Sequence, residues 1–246
     1  GLIAASMLAG RALAPAGQIV GLLMQYQGAR TALESLEKIM AQPVERPEGS
    51  AFVQRREFKG EIEFRHVSFA YPGSELASIS NINLKIEPGE RIAIVGRVAS
   101  GKSTLGRLMC GLYPPSDGAI RIDGIDSRQF YPSDLRNKFR FVGQDANLFT
   151  GSIRENIALG APGASDAEVI AALVKTGGDA YLTRDAAGFD REVGEQGRTL
   201  SGGQRALVAL NRLIHAAPTV WLLDEPTAAL DAGSEKSALD AVEAQL

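Results

Sequence analysis

The stretch Gly96-Arg97-Val98-Ala99-Ser100-Gly101-Lys102-Ser103-Thr104 combines residue types suited to an anionic, phosphate-bearing ligand. The apolar run Arg91-Ile92-Ala93-Ile94-Val95 enters it. Leu105-Gly106-Arg107-Leu108-Met109-Cys110-Gly111-Leu112 leaves it with apolar residues at helical spacing. The expected order is a buried strand, a glycine-bearing loop and a helix start. Backbone N–H groups at a helix start lack intrahelical partners, and the helix dipole favours negative charge there. Lys102 can reach terminal phosphates, and the Ser103 hydroxyl can join a Mg²⁺ site. A glycine-rich turn that merely contains Lys and Ser is the plainer reading. The strand before and the helix after argue against it.

Two further stretches carry chemistry. Thr219-Val220-Trp221-Leu222-Leu223 is a continuous apolar run of the kind buried on both faces of a parallel sheet. It ends in Asp224-Glu225-Pro226-Thr227, and ligands gather beyond the carboxyl ends of such strands. Asp224 is placed to hold Mg²⁺ through its water shell together with Ser103, and Glu225 to polarise an attacking water. Leu200-Ser201-Gly202-Gly203-Gln204 precedes a helix with the apolar face Ala206, Leu207, Leu210, Leu213 and Ile214. Ser201 suits the N-cap, and Gly202 and Gly203 allow the backbone to approach a ligand closely. One chain has no need of two anion-binding helix starts for one nucleotide. Two facing copies would use both.

The elements that must position these residues are readable in outline. The 246 residues are 45% hydrophobic and 22% charged, which supports a packed core and excludes global disorder. A net charge of −3 gives no electrostatic reason to expect a nucleic-acid partner. The single cysteine, Cys110, excludes an internal disulfide and a cysteine-based metal site, and reads as a small packed residue. Residues 1–28 are rich in Ala, Gly, Leu and Ile but interrupted by Arg11, Pro15 and Gln18. They fit a membrane helix with a polar face or a buried helix of a soluble protein. Ala29, Leu33, Leu36 and Met40 share one face of a following helix. Pro43, Pro47 and Gly49 mark a linker, with a domain boundary near residue 58. Alternation at Ile62 and Phe64, then at Ile82, Leu84 and Ile86, predicts a β-rich lobe, and Pro88-Gly89 predicts a type II turn. Ala119–Ile122 and Arg140–Val142 are expected as short strands. Capping boxes at Ser152/Glu155 and Ser165/Glu168 announce a mostly helical insert over about 150–215. Both ends of the chain look cut, as in a piece of a longer protein.

Taken together, Gly96–Thr104, Leu200–Gln204 and Val220–Asp224 with Glu225 resemble, in order and spacing, the Walker A, signature and Walker B motifs of the nucleotide-binding domain of ATP-binding-cassette (ABC) transporters. The resemblance implies an α/β fold: a P-loop NTPase core with an antiparallel β lobe and an ABC helical subdomain, preceded by a transmembrane and connector helix. It divides the chain into a last transmembrane helix (1–28), a connector and linker (29–59) and an ABC domain (60–246). It implies ATP and Mg²⁺ as cofactors. Gly96, Arg97, Val98, Ala99, Ser100, Gly101, Lys102, Ser103 and Thr104 would hold the phosphates. Tyr71, in Phe69-Ala70-Tyr71-Pro72, matches the aromatic that stacks on adenine. Gln144, in Phe141-Val142-Gly143-Gln144-Asp145, matches the residue that senses Mg²⁺ and the γ-phosphate. The metal set is then Ser103, Gln144 and Asp224, and the catalytic set Glu225, Lys102 and Gln144. Ser201, Gly202, Gly203 and Gln204 would meet the nucleotide of a second copy in an ATP-sandwich homodimer, and Ala229-Leu230-Asp231 matches the loop that crosses the dimer interface, with Asp231 counted among the nucleotide-binding residues. Val193–Gly197 resembles the exporter loop that contacts the partner subunit's membrane domain.

Asn147–Ile157 and Gly10-Arg11-Ala12-Leu13-Ala14-Pro15 are similar to type I secretion exporters. That likeness implies a homodimeric inner-membrane machine with its ATP-binding domain on the cytoplasmic side. It also implies a periplasmic adaptor, an outer-membrane channel, an exported polypeptide cargo and no nucleic acid. It favours the membrane reading of residues 1–28. The alternatives are a soluble ABC ATPase acting on nucleic acid or ribosomes, and a non-hydrolysing truncated fragment. Two departures stand out. Ala99 replaces the family's usual Gly, and a positive φ there would cost on the order of 1 kcal/mol and weaken ATP binding. The family's switch histidine has no match: Glu225 lies too near Leu246 to leave room for it. His66 on an early strand and His215 at the end of the signature helix do not qualify.

Overall fold

In the computed structural model, local sequence signals become helix ends. The structure describes residues 1–42, 44–45, 52–55, 57–178 and 187–246, so Pro43, Pro47 and Gly49 of the expected linker and residues 179–186 of the expected insert lie outside it. The chain divides into two units, Gly1–Ala51 and Phe52–Leu246.

The first unit is one helix, α1 (Leu2–Met40), running unbroken through Pro15. No helix end separates 1–28 from the amphipathic stretch after it, because Gln27-Gly28-Ala29 carries neither a cap nor a second proline. Within Met7–Met40 an 18-residue window reaches a mean hydropathy of 1.3, so this helix is long and apolar enough to cross a membrane by length and composition.

The second unit begins with an antiparallel lobe. Strands β1 (Ile62–Phe69), β2 (Ile79–Ile86), β3 (Asp117–Ile122) and β4 (Ile125–Asp126) form one sheet in the order β2-β1-β3-β4. Phe64 pairs with Leu84 on one side and Ile120 on the other, so the alternating apolar residues fall on one buried face. The turn after β2 closes as expected: Glu90 N donates to Glu87 O at 3.1 Å, with Gly89 at φ +78°. Helix α2 (Lys102–Met109) packs Leu105, Leu108 and Met109 against Ile62, Phe64 and Ile120 of this sheet.

Helix α3 (Pro132–Lys138) leads into β5 (Phe139–Val142), which pairs in parallel with β6 (Val220–Leu223). The strand expected over Arg91–Val95 does not form. Its composition is right, but a strand exists only as one side of a ladder, and this segment has no hydrogen-bonded neighbour. A cleft of about 440 Å³ lies between Ile92, Ile94 and Val95 on one side and Leu223 on the other. Val95 is 89% exposed. For the same reason β6 is half-buried rather than buried on both faces: β5 covers one edge only.

Both predicted capping boxes are present, at α4 (Ile153–Ala158) and α5 (Asp166–Lys175). These helices surround a core of Leu148, Ile153, Ile157, Val169, Leu173 and Val208 with the long α6 (Gly202–Ala216). Helix α7 (Ala232–Glu243) packs Ala238, Ala241 and Val242 onto the other side of α6, against Leu207, Leu210 and Leu213. Each N-cap hydroxyl satisfies a backbone donor that would otherwise be orphaned, about 1 kcal/mol apiece.

Candidate functional site

The helix start at α2 requires glycine. Gly101 is its N-cap at φ +92°, and a Cβ there would stand 2.5 Å from Ile79 Cγ2 and 2.8 Å from the Ser78 carbonyl oxygen. Strand β2 therefore presses on the loop at this one residue. Two positions earlier, Ala99 adopts φ +62°, the left-handed conformation that the sequence made conditional. The Lys102 ammonium donates to the carbonyls of Gly96 and Arg97 at 3.0 and 3.1 Å. It thus points into the loop's own hollow, where phosphate oxygens could replace those acceptors. Ser100 N donates to Arg97 O at 3.2 Å, completing a tight turn.

The parallel pair β5–β6 delivers the acidic residues. Asp224 N donates to Val142 O at 2.8 Å, extending the ladder by one rung, so both chains leave the sheet at the same edge. Ser103, Gln144 and Asp224 line one cavity of about 530 Å³. Lys102, Asp224 and Glu225 line the adjoining cleft with Gly96 and Val98. Glu225 sits at φ +51°, and its carboxylate accepts from Gln144 Nε2 at 3.1 Å. A hydroxyl, a carboxylate and an amide oxygen are hard donors. That set fits Mg²⁺, which keeps several waters and shares its shell with phosphates.

Tyr71 is half-buried beside α2. Its hydroxyl lies 3.2 Å from Thr104 Oγ1 and accepts from Arg107 Nη1 at 2.9 Å. Its ring packs edge-on against Phe69 and Tyr113, with centroids 4.9 and 5.3 Å away. An aromatic side chain is thereby tied to the phosphate loop's helix.

Ser201 caps α6 and pairs reciprocally with Gln204. The close approach expected of the glycines is used within the chain: a Cβ on Gly203 would stand 2.9 Å from the Ala229 carbonyl oxygen. The Asp231 carboxylate caps α7, accepting from Gly233 N and Ser234 N at 3.1 Å each. Within a single chain, Ser201, Gly203 and Gln204 line neither of the two clefts that hold Lys102, Ser103 and Asp224. Between Val193, which is buried, and Arg198, the Glu195–Gly197 turn carries Gln196 at φ +54°. Cys110 is buried, and that burial pushes its thiol up to about 12. His66 lies on exposed β1 backbone beside Asn81, and His215 in the last turn of α6, both away from the two clefts.

Sequence reasoning missed Arg107, Arg140 and Arg212, which line the same cavity as Ser103 and Asp224. The available signal was an arginine set between Phe139 and Phe141 in a short strand.

Comparison with known proteins shows the family. Residues 79–228 match the family model for ABC transporters. The leukotoxin export ATP-binding protein LtxB of Aggregatibacter actinomycetemcomitans is 40% identical over 234 residues, 95% of this chain and 33% of that protein. The leukotoxin translocation ATP-binding protein LktB of Mannheimia glucosida is 38% identical over the same shares. The chain therefore spans about a third of the length of these relatives. Among solved structures, a bacterial Atm1-family ABC exporter with ATP bound superposes with a TM-score of 0.80 at 34% identity, over 90% of this chain and 39% of that one.

Proposed function

Because the chain belongs to the ABC transporter family, we propose that it binds ATP with Mg²⁺ at Gly96–Thr104 and hydrolyses it to drive export of a polypeptide. One observation carries the reading. A left-handed glycine starts α2, so that Lys102 and Ser103 face the strand edge from which Gln144, Asp224 and Glu225 emerge. The α2 amides and Lys102 would take the β- and γ-phosphates, with positive charge placed where the transferred group gains negative charge. Ser103, Gln144 and Asp224 would hold Mg²⁺, which neutralises phosphate charge. Glu225 would accept a proton from the attacking water, and Gln144, already bonded to Glu225, would fix that carboxylate's direction. Tyr71 would meet the adenine.

Two copies would complete each site. Ser201, Gly203 and Gln204 line neither of the clefts that hold Lys102, Ser103 and Asp224, which supports use of this helix start on the nucleotide of a second copy. In this reading α1 is the last membrane helix and its extension, Val193–Gly197 meets the partner's membrane domain, and the ATP-binding unit lies on the cytoplasmic face of the inner membrane. A periplasmic adaptor and an outer-membrane channel complete the path for the cargo. The relatives' names, which speak of leukotoxin export, support a polypeptide as cargo. The soluble alternative acting on nucleic acid draws no support from a net charge of −3.

The test is Glu225→Gln in the chain together with its membrane domain. ATP with Mg²⁺ is expected to trap a dimer detectable by cross-linking across Ser201. A variant that binds ATP yet stays unpaired at saturation refutes the sandwich, and failure of the parent protein to bind ATP refutes the whole reading.

A further inference from the structure

The cavity of about 530 Å³ beside the Ser103–Asp224 pair has three cationic walls: Arg107 from α2, Arg140 from β5 and Arg212 from α6. Among the described residues no carboxylate lies within ion-pair distance of any of the three. Arg140 is the least satisfied. Its Nε is buried without an acceptor, and its Nη2 reaches Asn137 Oδ1 and Gly160 O only at 3.4 and 3.5 Å. Arg212 leans on neutral acceptors, the Asn156 carbonyl at 2.8 Å, its side-chain oxygen at 2.9 Å and the Asn147 carbonyl at 3.3 Å. Burial, and then the positive charge of Arg140, disfavours the Arg212 guanidinium.

A native protein leaves few buried donors unmade, and like charges lining one partly buried cavity are unfavourable without a counter-charge. Here the counter-charge is not a side chain. Asp145 and Asp224 also line the cavity, yet neither is paired with an arginine, and three cations against two anions leave a positive excess. Guanidiniums lining one cavity from a strand and a helix suit an anion with several oxygens, which can take up the Arg140 donors and exchange for the neutral acceptors of Arg212. The cavity is much larger than a halide needs, and it opens directly onto the residues assigned above to the terminal phosphate.

We propose that Arg140 and Arg212 form an oxyanion subsite that binds inorganic phosphate next to the point of ATP cleavage. The proposal rests on reading the adjoining cleft as the ATP site, and it assigns the cavity to the product rather than to the nucleotide. Arg140 is the specifying residue, since it alone carries a buried donor without an acceptor among the three.

The test titrates sodium phosphate into the whole chain by calorimetry, at constant ionic strength held with sodium chloride. One series uses nucleotide-free protein and a parallel one uses protein saturated with Mg·ADP. The native chain is expected to bind one phosphate saturably in both. Arg140→Gln and Arg212→Gln should each weaken phosphate at least tenfold, while Arg140→Lys, which keeps the charge and loses the fork, should fall between. Mg·ADP affinity should stay within twofold in Arg140→Gln, and its thermal melt guards against misfolding. Phosphate affinity unchanged in Arg140→Gln, or no saturable binding by the native chain, overturns the proposal. Absence of Mg·ADP binding alongside intact phosphate binding would instead sink the ATP reading and leave the arginine subsite standing.

Discussion

Replacing Ala99 with glycine should tighten nucleotide binding. Ala99 occupies φ +62°, where an alanine is disfavoured by roughly 1 kcal/mol and a glycine is not. The stretch before it makes no ladder; the loop is held by one hydrogen bond of 3.2 Å across Arg97–Ser100 and by the Lys102 ammonium on the Gly96 and Arg97 carbonyls, contacts that phosphates would replace. The free loop can therefore relax into other conformations, and the left-handed one must be regained when phosphates bind against α2. Glycine removes that conformational cost, and about 1 kcal/mol corresponds to about fivefold in dissociation constant. The assay is titration of a fluorescent ATP analogue with Mg²⁺ present, on native and Ala99→Gly chains side by side. A fall in the dissociation constant of about threefold to tenfold is expected. An unchanged or weaker affinity would refute the strain argument, and with it the assumption that the bound loop keeps the conformation seen here.

Gly101→Ala should act in the opposite sense, because its new methyl would meet the Ser78 carbonyl at 2.8 Å in addition to a left-handed backbone; at least a tenfold loss of nucleotide affinity is expected in the same titration. Cys110 should resist a disulfide reagent at pH 8 in the native chain and react promptly in denaturant, and fast stoichiometric reaction of native protein would contradict its burial. The unfolded thiol ionises near 9.0 while the folded one holds its proton up to about 12, so Cys110 contributes full stability below pH 9 and loses it progressively as pH rises towards 12, visible as a falling melting temperature that Cys110→Ala should flatten. Ser152→Ala should lower stability by about 1 kcal/mol through loss of a helix cap, read by urea denaturation. The carboxyls of Glu155 and Glu168 are held below 4.5 chiefly by the backbone N–H groups of Ser152 and Ser165, so their contribution is present above pH 4.5 and vanishes as pH falls below it; far-UV circular dichroism should show helix loss there.

What could be read from the chain was whatever one short segment decides alone. Ser152 with Glu155, Ser165 with Glu168 and Ser201 as a cap are four-residue devices, and all three close as written. The turn at Glu87–Glu90 and the left-handed Ala99 are equally local. The motifs at Gly96–Thr104 and Val220–Glu225 carried the family and the fold class because their order encodes a strand edge facing a helix start. Distant partners were another matter. Arg91–Val95 has the composition of a strand, but composition cannot supply a neighbour. Gly203 looked free for a ligand until folding brought the Ala229 carbonyl against it. Arg140 and Arg212 lie on separate elements, and nothing in either neighbourhood announces that they share a wall. The helix expected over 1–28 forms with Pro15 inside it, and it continues to Met40.

The uneven fastening of Gly96–Thr104 sets a gradient of rigidity within nine residues. Downstream, Leu105, Leu108 and Met109 are clamped in the core; upstream, Val98 is 96% exposed and Ile92–Val95 share no ladder. Amide protons should therefore exchange with solvent fastest at Ile92–Val98 and slowest at Leu105–Met109, with the boundary at Gly101. A loop moored on one bank only can swing to admit a triphosphate and needs the triphosphate itself to come to rest.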